Sequence, residues 1–279
     1  FMGLVGSEMC IRDRKKGWLF KMPKINKDST LNITFVGIGL CLLCSAIISF
    51  IAIQLRSVQE NNVVLDMQKK IVSSAGLDEV YGSVENAMSN IKTLIIDLDR
   101  GEIVDINPDT YELSKELRED GKYKFLSAEE DVASIKKREK YSKVYIEYKD
   151  NEINTLILPV RGYGLWGILY GYLAIEGDFN TVAGLEFYEH KETPGLGAEI
   201  DNPKWKALWK GKKIYQENGE VSLKVIKGSV MKTSDNFSYE IDGLSGATLT
   251  CNGVSNLIAY WMGNDGFLNF INNLQKVDV

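Results

Sequence analysis

The chain has 279 residues, of which 44% are hydrophobic and 25% are charged, and its net charge at pH 7 is −5. These proportions are ordinary for a folded protein, and the length allows one sizeable domain with an anchor or two small domains. Residues 1–28 carry seven basic and three acidic side chains, so the rest of the chain is more acidic than the total implies. An acidic body argues against nucleic acid as a partner, because proteins that bind nucleic acid present basic surfaces.

An uncharged and mostly apolar stretch runs from residue 29 to residue 55. At about 1.5 Å per residue, a helix of this length crosses a hydrocarbon core of roughly 30 Å. A cleaved signal peptide is the alternative, but its apolar core is only about 7–15 residues long. We therefore predict a single transmembrane helix over residues 29–55. Cys41 and Cys44 within it are interpreted as small residues at a helix-packing face, because a metal site there needs further ligands.

The residues that flank this span predict its orientation. Five lysines lie shortly before it, at positions 15, 16, 21, 24 and 27, whereas Arg56 and Glu60 after it nearly cancel. The positive-inside rule then places residues 1–28 in the cytoplasm and residues 56–279 in the periplasm, on the far side of the bacterial inner membrane. The first 14 residues resemble translated sequencing-adapter read-through, so we expect the natural start further along the chain, at Met22.

After the span, the apolar pattern predicts an α+β domain. Helical spacing occurs over residues 63–75, 80–91, 203–210, 251–262 and 267–274, and a hairpin is predicted over residues 94–105. The polar residues 106–141 are interpreted as an insertion of helix and loop. Strand patterns occupy residues 144–148, 154–160, 166–176, 181–188, 221–226 and 237–241. Because the turns between most of these strands are short, we expect a mostly antiparallel sheet with helices packed on it.

Small residues lie between the last predicted strand and the helix that follows it, over residues 242–250. Glycine lets the backbone turn tightly and approach a ligand closely, and the first amides of a helix point outward without partners. Such a place attracts phosphate. An ordinary helix N-cap is the alternative interpretation of this turn taken alone.

Three separated motifs resemble one known family. Residues 242–248 match the Asp-x-x-Ser-Gly-Ala-Thr pattern of flavinylated proteins, in which FMN is joined to the last threonine by a phosphoester. Residues 192–197 read Glu-Thr-Pro-Gly-Leu-Gly, with Pro-Lys-Trp at 203–205, and residues 164–167 read Gly-Leu-Trp-Gly. With these motifs in this order, the chain from the span to the C-terminus resembles the NqrC subunit of the sodium-translocating NADH:quinone oxidoreductase.

The resemblance implies a periplasmic FMN-binding domain over residues 56–279, in an electron-transfer subunit that relays electrons from NADH towards ubiquinone as sodium is exported. It implies covalent FMN on Thr248, attached by a separate Mg-dependent flavin transferase that uses FAD. Other subunits of the membrane complex and membrane lipid are the remaining partners. The residues that it assigns to the FMN site are Thr248, Asp242, Ser245, Gly246, Ala247, Trp166, Thr193 and Leu196.

Within this set the roles differ. Asp242 and Ser245 are expected to serve recognition or activation during attachment, and Trp166 and Leu196 to lie against the flavin ring. From spacing alone, Trp166 is equally well a core aromatic residue. Glu192 either orients its loop or is simply exposed to solvent.

Other functional classes remain as alternatives. The RnfG subunit of the related Rnf complex shares the flavinylation motif, and a membrane-tethered binding module would have the same anchor without a redox role. A hydrolase is disfavoured, because the single histidine, His190, would have to meet Ser245 or Ser255, and neither lies in a nucleophile elbow. No Gly-x-Gly-x-x-Gly follows a predicted strand, so the body is not expected to bind NADH itself. The sequence also offers no metal-spaced cluster of ligands.

Overall fold

A computed structural model describes residues 29–277, without the side chain of residue 277. The expected start at Met22, the lysine-rich flank and the suspect first 14 residues lie outside the described residues. The chain divides into two compact units, residues 1–60 and residues 61–279, which are described separately.

The N-terminal helix α1 runs without a break over Thr30–Ser74. Nearly all of its residues up to residue 60 are exposed. By length and composition it can cross a membrane, and none of its most apolar window is buried. The sequence predicted two helices here, over 29–55 and 63–75. They are one helix, because residues 56–62 contain neither proline nor glycine to end it.

The second unit contains the remaining elements, in this chain order: α2 Leu77–Tyr81, α3 Val84–Asn90, β1 Ile91–Asp97, β2 Glu102–Val104, α4 Leu113–Glu116, β3 Tyr123–Phe125, β4 Lys137–Glu139, β5 Tyr141–Lys149, β6 Glu152–Tyr163, β7 Ile168–Glu176, β8 Val182–Glu189, α5 Pro203–Lys206, β9 Lys224–Val225, β10 Glu240–Ile241, α6 Thr248–Trp261 and α7 Leu268–Val277. Six strands form one antiparallel sheet in the order β2-β1-β5-β6-β7-β8. The predicted mixed α+β architecture with a mostly antiparallel sheet is confirmed.

Both faces of this sheet are covered, as expected where strand residues are apolar on both sides. On one face, alternate residues of β5, β6 and β7 pack with α5, α6 and α7 in a large core that includes Trp205, Trp209 and Trp261. On the other face, the intervening residues pack with the end of α1, with α2 and with α3. The predicted FMN motif belongs to the first face, because α6 follows it directly.

Some predicted boundaries were wrong for local reasons. The helix predicted over 80–91 is divided at Gly82, whose φ of 72° ends α2, and the Ser83 side chain then caps α3. Ile91 belongs to β1, where it pairs with Glu147 of β5. The strand predicted over 237–241 is a 3-10 turn at Phe237–Tyr239, followed by the two residues of β10, which pair in parallel with β9.

Helix α6 is held directly against β6 through two glycines. A Cβ atom built on Gly253 would lie 2.4 Å from the carbonyl oxygen of Tyr163, and one on Gly162 would lie 2.8 Å from Cβ of Leu257. The Trp261 indole N–H at the other end of the helix donates to the carbonyl oxygen of Arg161 at 2.6 Å. The start of α6 is therefore fixed to the end of β6, where the Gly-Leu-Trp-Gly turn begins.

Because of this close approach, we expect Gly253→Ala to lower the free energy of unfolding, although glycine-to-alanine changes in helices usually raise it. Replacing glycine by alanine inside a helix normally stabilises by roughly 0.5–1 kcal/mol, but Gly253→Ala meets a backbone oxygen that cannot move alone. Overpacking of this kind costs about 1–3 kcal/mol, so we expect the free energy of unfolding to fall by that amount in urea titrations. The control is Asn252→Ala at the exposed neighbouring position, which should be neutral or stabilise by at most about 0.7 kcal/mol through helix propensity. A more stable Gly253→Ala variant would contradict this packing.

Candidate functional site

The motif turn begins at Asp242, which is tied to two other segments. Its carboxylate accepts a hydrogen bond from the Val230 backbone N–H at 2.7 Å, and its carbonyl oxygen accepts one from the Trp205 indole at 2.8 Å. The Gly243 N–H donates to the carbonyl oxygen of Gly228 at 2.8 Å. Asp242 therefore has a structural role at this turn, and its predicted part in flavin attachment stays a prediction.

The turn then delivers the chain into α6 with its first amides available. Gly246 has a φ of 72°, in the left-handed region that favours glycine, and α6 begins at Thr248. The N-cap residue, Ala247, is buried and provides no side-chain hydrogen bond to the helix. Ser245, Gly246 and Thr248 are exposed. This uncapped end of a 14-residue helix is suited to an anionic group such as phosphate.

The two threonines of the first turn of α6 have opposite environments. Thr248 is exposed, whereas Thr250 is fully buried and its hydroxyl donates to Oε2 of Glu192 at 2.5 Å. Helical periodicity explains the difference, because residues two apart lie about 200° apart around the axis. The same periodicity puts Thr250 on the buried side with Val254 and Leu257. The burial of Thr250 was therefore predictable from spacing.

Glu192 connects the three sequence motifs. Its Oε1 accepts hydrogen bonds from the backbone N–H groups of Leu165 and Trp166 at 2.9 and 3.0 Å, while Oε2 takes the Thr250 hydroxyl. Glu192 is only 5% exposed, so the alternative that it is a solvent-exposed residue is wrong. We name this set of hydrogen bonds the Glu192 clasp. Glu192 belongs to the motif at residues 192–197, but it was not among the predicted site residues.

Two glycines leave the space that the clasp needs. A Cβ atom on Gly164 would lie 2.6 Å from Oε1 of Glu192, and one on Gly197 would lie 2.5 Å from Oε2. The Gly197 position would also be 2.6 Å from the Thr250 hydroxyl. A larger residue at either position would displace the carboxylate, which accounts for a glycine in each motif.

Apolar side chains are exposed in each of the segments that form the candidate site. Trp166 is 62% exposed, Leu196 is 45% exposed and Leu249 is 58% exposed. The Trp166 side chain is therefore not a core aromatic residue. Cδ2 of Leu196 lies 2.9 Å from the Cβ position of Gly246, so this leucine contacts the motif turn. Leu196 and Leu249 therefore put exposed apolar surface at the N-terminus of α6, and the Trp166 turn adds an exposed aromatic ring, which are the features that a flat ligand requires.

The Thr-Pro-Gly-Leu-Gly loop is folded by its own backbone. The carbonyl oxygen of Thr193 accepts hydrogen bonds from the N–H groups of Leu196 and Ala198, both at 3.1 Å, and Gly195 has a φ of 75°. Thr193 is exposed. Of the predicted site residues, the structure thus brings the 242–248 turn, Leu196 and the Trp166 turn together, and Thr193 lies in the same loop as Leu196.

A concave region lies elsewhere, on the sheet face that packs against the end of α1. It is a cavity of about 670 Å³ with a wall of tyrosines that includes Tyr145, Tyr172 and Tyr188, and it contains no residue of the three motifs. Burial raises the pKa of each of these three hydroxyls. The Arg161–Glu139 ion pair at its edge is internally satisfied at 2.5 Å. We assign the candidate site to the surface formed by the three motifs, where the exposed Thr248 lies at the uncapped N-terminus of α6.

Comparisons with known proteins agree with this assignment. A family model described as the FMN-binding domain matches residues 164–263, which contain all three motifs. The NqrC subunit of the Na(+)-translocating NADH-quinone reductase of Pseudomonas aeruginosa is 46% identical over 256 residues, covering 90% of this chain and 98% of that protein. The corresponding protein from Vibrio anguillarum is 41% identical, covering 88% and 95%.

Solved structures show the same likeness. The crystal structure of Shewanella oneidensis NqrC matches with a TM-score of 0.66 and 29% identity, over 75% of this chain and 96% of that one. The corresponding NqrC protein from Parabacteroides distasonis matches with a TM-score of 0.56 and 28% identity, over 78% and 96%. The chain therefore belongs to the NqrC family of the Na(+)-translocating NADH-quinone reductase.

Proposed function

We propose that this chain is an electron-transfer subunit that carries FMN esterified to Thr248 and relays electrons from NADH towards quinone, coupled to sodium export. The observation that carries the proposal is the exposed Thr248 at the uncapped N-terminus of α6, where the exposed Leu196 contacts the motif turn. The exposed Trp166 lies in the turn that Glu192 ties to the same helix. Membership of the NqrC family supports the same role. It also favours this role over that of the RnfG subunit of the Rnf complex.

The residues present fit FMN. The first amides of α6 would hold the phosphate, and the ring would lie against Trp166 and Leu196. Bound FMN supplies redox chemistry that amino-acid side chains lack. The contribution of this chain is to hold the cofactor at an exposed edge of the domain, where an electron partner has access. A covalent link keeps the local concentration of a cofactor permanently high outside the cytoplasm.

Attachment requires a second protein. A threonine hydroxyl is a poor nucleophile unaided, so we expect a Mg-dependent flavin transferase to activate it. Thr248 Oγ1 would attack the FMN phosphorus of FAD, AMP would leave with the electron pair of the broken P–O bond, and the hydroxyl proton would be released. The exposure of Thr248 supports this step, because a transferase must reach the hydroxyl. The buried and hydrogen-bonded Thr250 hydroxyl is a poor competitor.

The position of the ester is tested by two matched substitutions. We expect co-expression with a flavin transferase to give a fluorescent band on a denaturing gel for the parent and for Thr250→Val, and none for Thr248→Val. Each substitution removes one hydroxyl and keeps the side-chain shape. Mass spectrometry should find about 438 Da, FMN less one water, on the peptide that contains Thr248, as a phosphoester requires.

Fluorescence that persists in Thr248→Val and disappears in Thr250→Val would contradict the assignment. A parent protein without covalent flavin would instead favour the membrane-tethered binding module.

We further propose that the protein is a single-pass inner-membrane protein, with residues 29–55 as the span and residues 56–279 in the periplasm, among other subunits and membrane lipid. The long apolar helix α1 supports this arrangement. So does the similarity to a subunit of the Na(+)-translocating NADH-quinone reductase. Protease added to intact spheroplasts should digest the body of the protein and spare an N-terminal tag. Digestion of the tag with protection of the body would reverse the orientation.

A further inference from the structure

The Glu192 clasp is built from uncharged donors. The two carboxylate oxygens accept hydrogen bonds from two backbone N–H groups and one hydroxyl, and the side chain is 5% exposed. A buried carboxylate without such donors is costly, because it loses its hydration without replacement. The clasp therefore holds its three donors in fixed positions, and a donor that moves away leaves the carboxylate unsatisfied.

The clasp lies on the inner side of the helix turn that carries Thr248. Thr250 and Thr248 face opposite sides of α6, so Glu192 binds the buried side while the exposed side presents the Thr248 hydroxyl. The other oxygen of the same carboxylate binds the turn that carries Trp166. One side chain thus fixes the distance between the start of α6 and the Trp166 turn.

We propose that Glu192 is a positioning residue that sets the place of the Trp166 ring relative to a flavin on Thr248. The inference rests on the proposed function for the flavin and on hydrogen-bond geometry for the clasp. Glu192 acts through the 164–167 turn and needs no contact with the flavin. Its action is geometric, so a neutral glutamine of the same shape, with one oxygen that accepts and one amide that donates, can replace it.

Four variants separate geometry from charge. Glu192→Ala removes the clasp, and Thr250→Val removes one of its donors while keeping the side-chain shape. Glu192→Gln removes the charge but keeps an oxygen for the two N–H groups, and its amide can donate to the Thr250 hydroxyl oxygen. Glu189→Ala, at an exposed carboxylate three residues away, is the matched control.

The first measurement uses protein without flavin. We expect amide hydrogen exchange at Leu165 and Trp166 to accelerate severalfold in Glu192→Ala and to a smaller extent in Thr250→Val. Exchange in Glu192→Gln and Glu189→Ala should match that of the parent. If Glu192→Ala does not fold, Thr250→Val decides the question. Unchanged exchange at both amides in the folded Glu192→Ala variant, or in Thr250→Val when it alone decides, would overturn the proposal.

The second measurement uses flavinylated protein. A stacked indole quenches flavin fluorescence, so the native-state emission should rise in Trp166→Ala and in Glu192→Ala, and stay at the parent level in Glu192→Gln. The double variant Glu192→Ala/Trp166→Ala should be no brighter than Trp166→Ala, because Glu192 acts through that ring. Additive changes, or a Glu192→Gln variant as bright as Glu192→Ala, would overturn the positioning role. A parent without covalent flavin would overturn the proposed function alone, since the exchange measurement needs none.

Discussion

The buried carboxylate of Glu192 is the constraint on which the candidate site depends. It joins its own loop, which carries Leu196, to the Trp166 turn and to the first turn of α6, and each of these three segments supplies a part of the site. Because a buried carboxylate is stable only when its oxygens are satisfied, the three segments must fold together. The glycines at 164 and 197 make room for that carboxylate.

The scaffold around this carboxylate is rigid where the site needs precision. Helix α6 lies against β6 at Gly253 with no space for a side chain, and β6 is an interior strand of the six-stranded sheet. The Trp166 turn joins β6 to β7, so this side of the site is an extension of that strand pair. Trp166 and Leu196 themselves lie in short loops, and the Glu192 hydrogen bonds and the neighbouring regular structure hold these loops more closely than free loops are held.

Much of this arrangement followed from the sequence. Apolar spacing predicted the long sheet strands and the helix after the motif, because those segments are strongly periodic. Short elements were predicted less well. The strands predicted over 221–226 and 237–241 shrink to the two residues each of β9 and β10, which depend on pairing with one another. The short strands β3 and β4 were missed, because they lie in the polar stretch that was interpreted as helix and loop. The break at Gly82 was also missed, although a glycine in the left-handed conformation ends α2 locally. The start of β1 at Ile91 was missed because pairing with β5 outweighed local helical preference. The role of Glu192 could not be predicted, because its donors lie 26 to 58 positions away.

The central claim is that one carboxylate assembles an FMN site around Thr248. A high-resolution structure of the flavinylated protein tests it most directly. We expect continuous density from Thr248 Oγ1 into the FMN phosphate at the N-terminus of α6, with the ring against Trp166 and Leu196. Glu192 should remain bound to Leu165, Trp166 and Thr250. Phosphate density on another residue, or a ring that lies away from Trp166 while the Glu192 hydrogen bonds are intact, would contradict it.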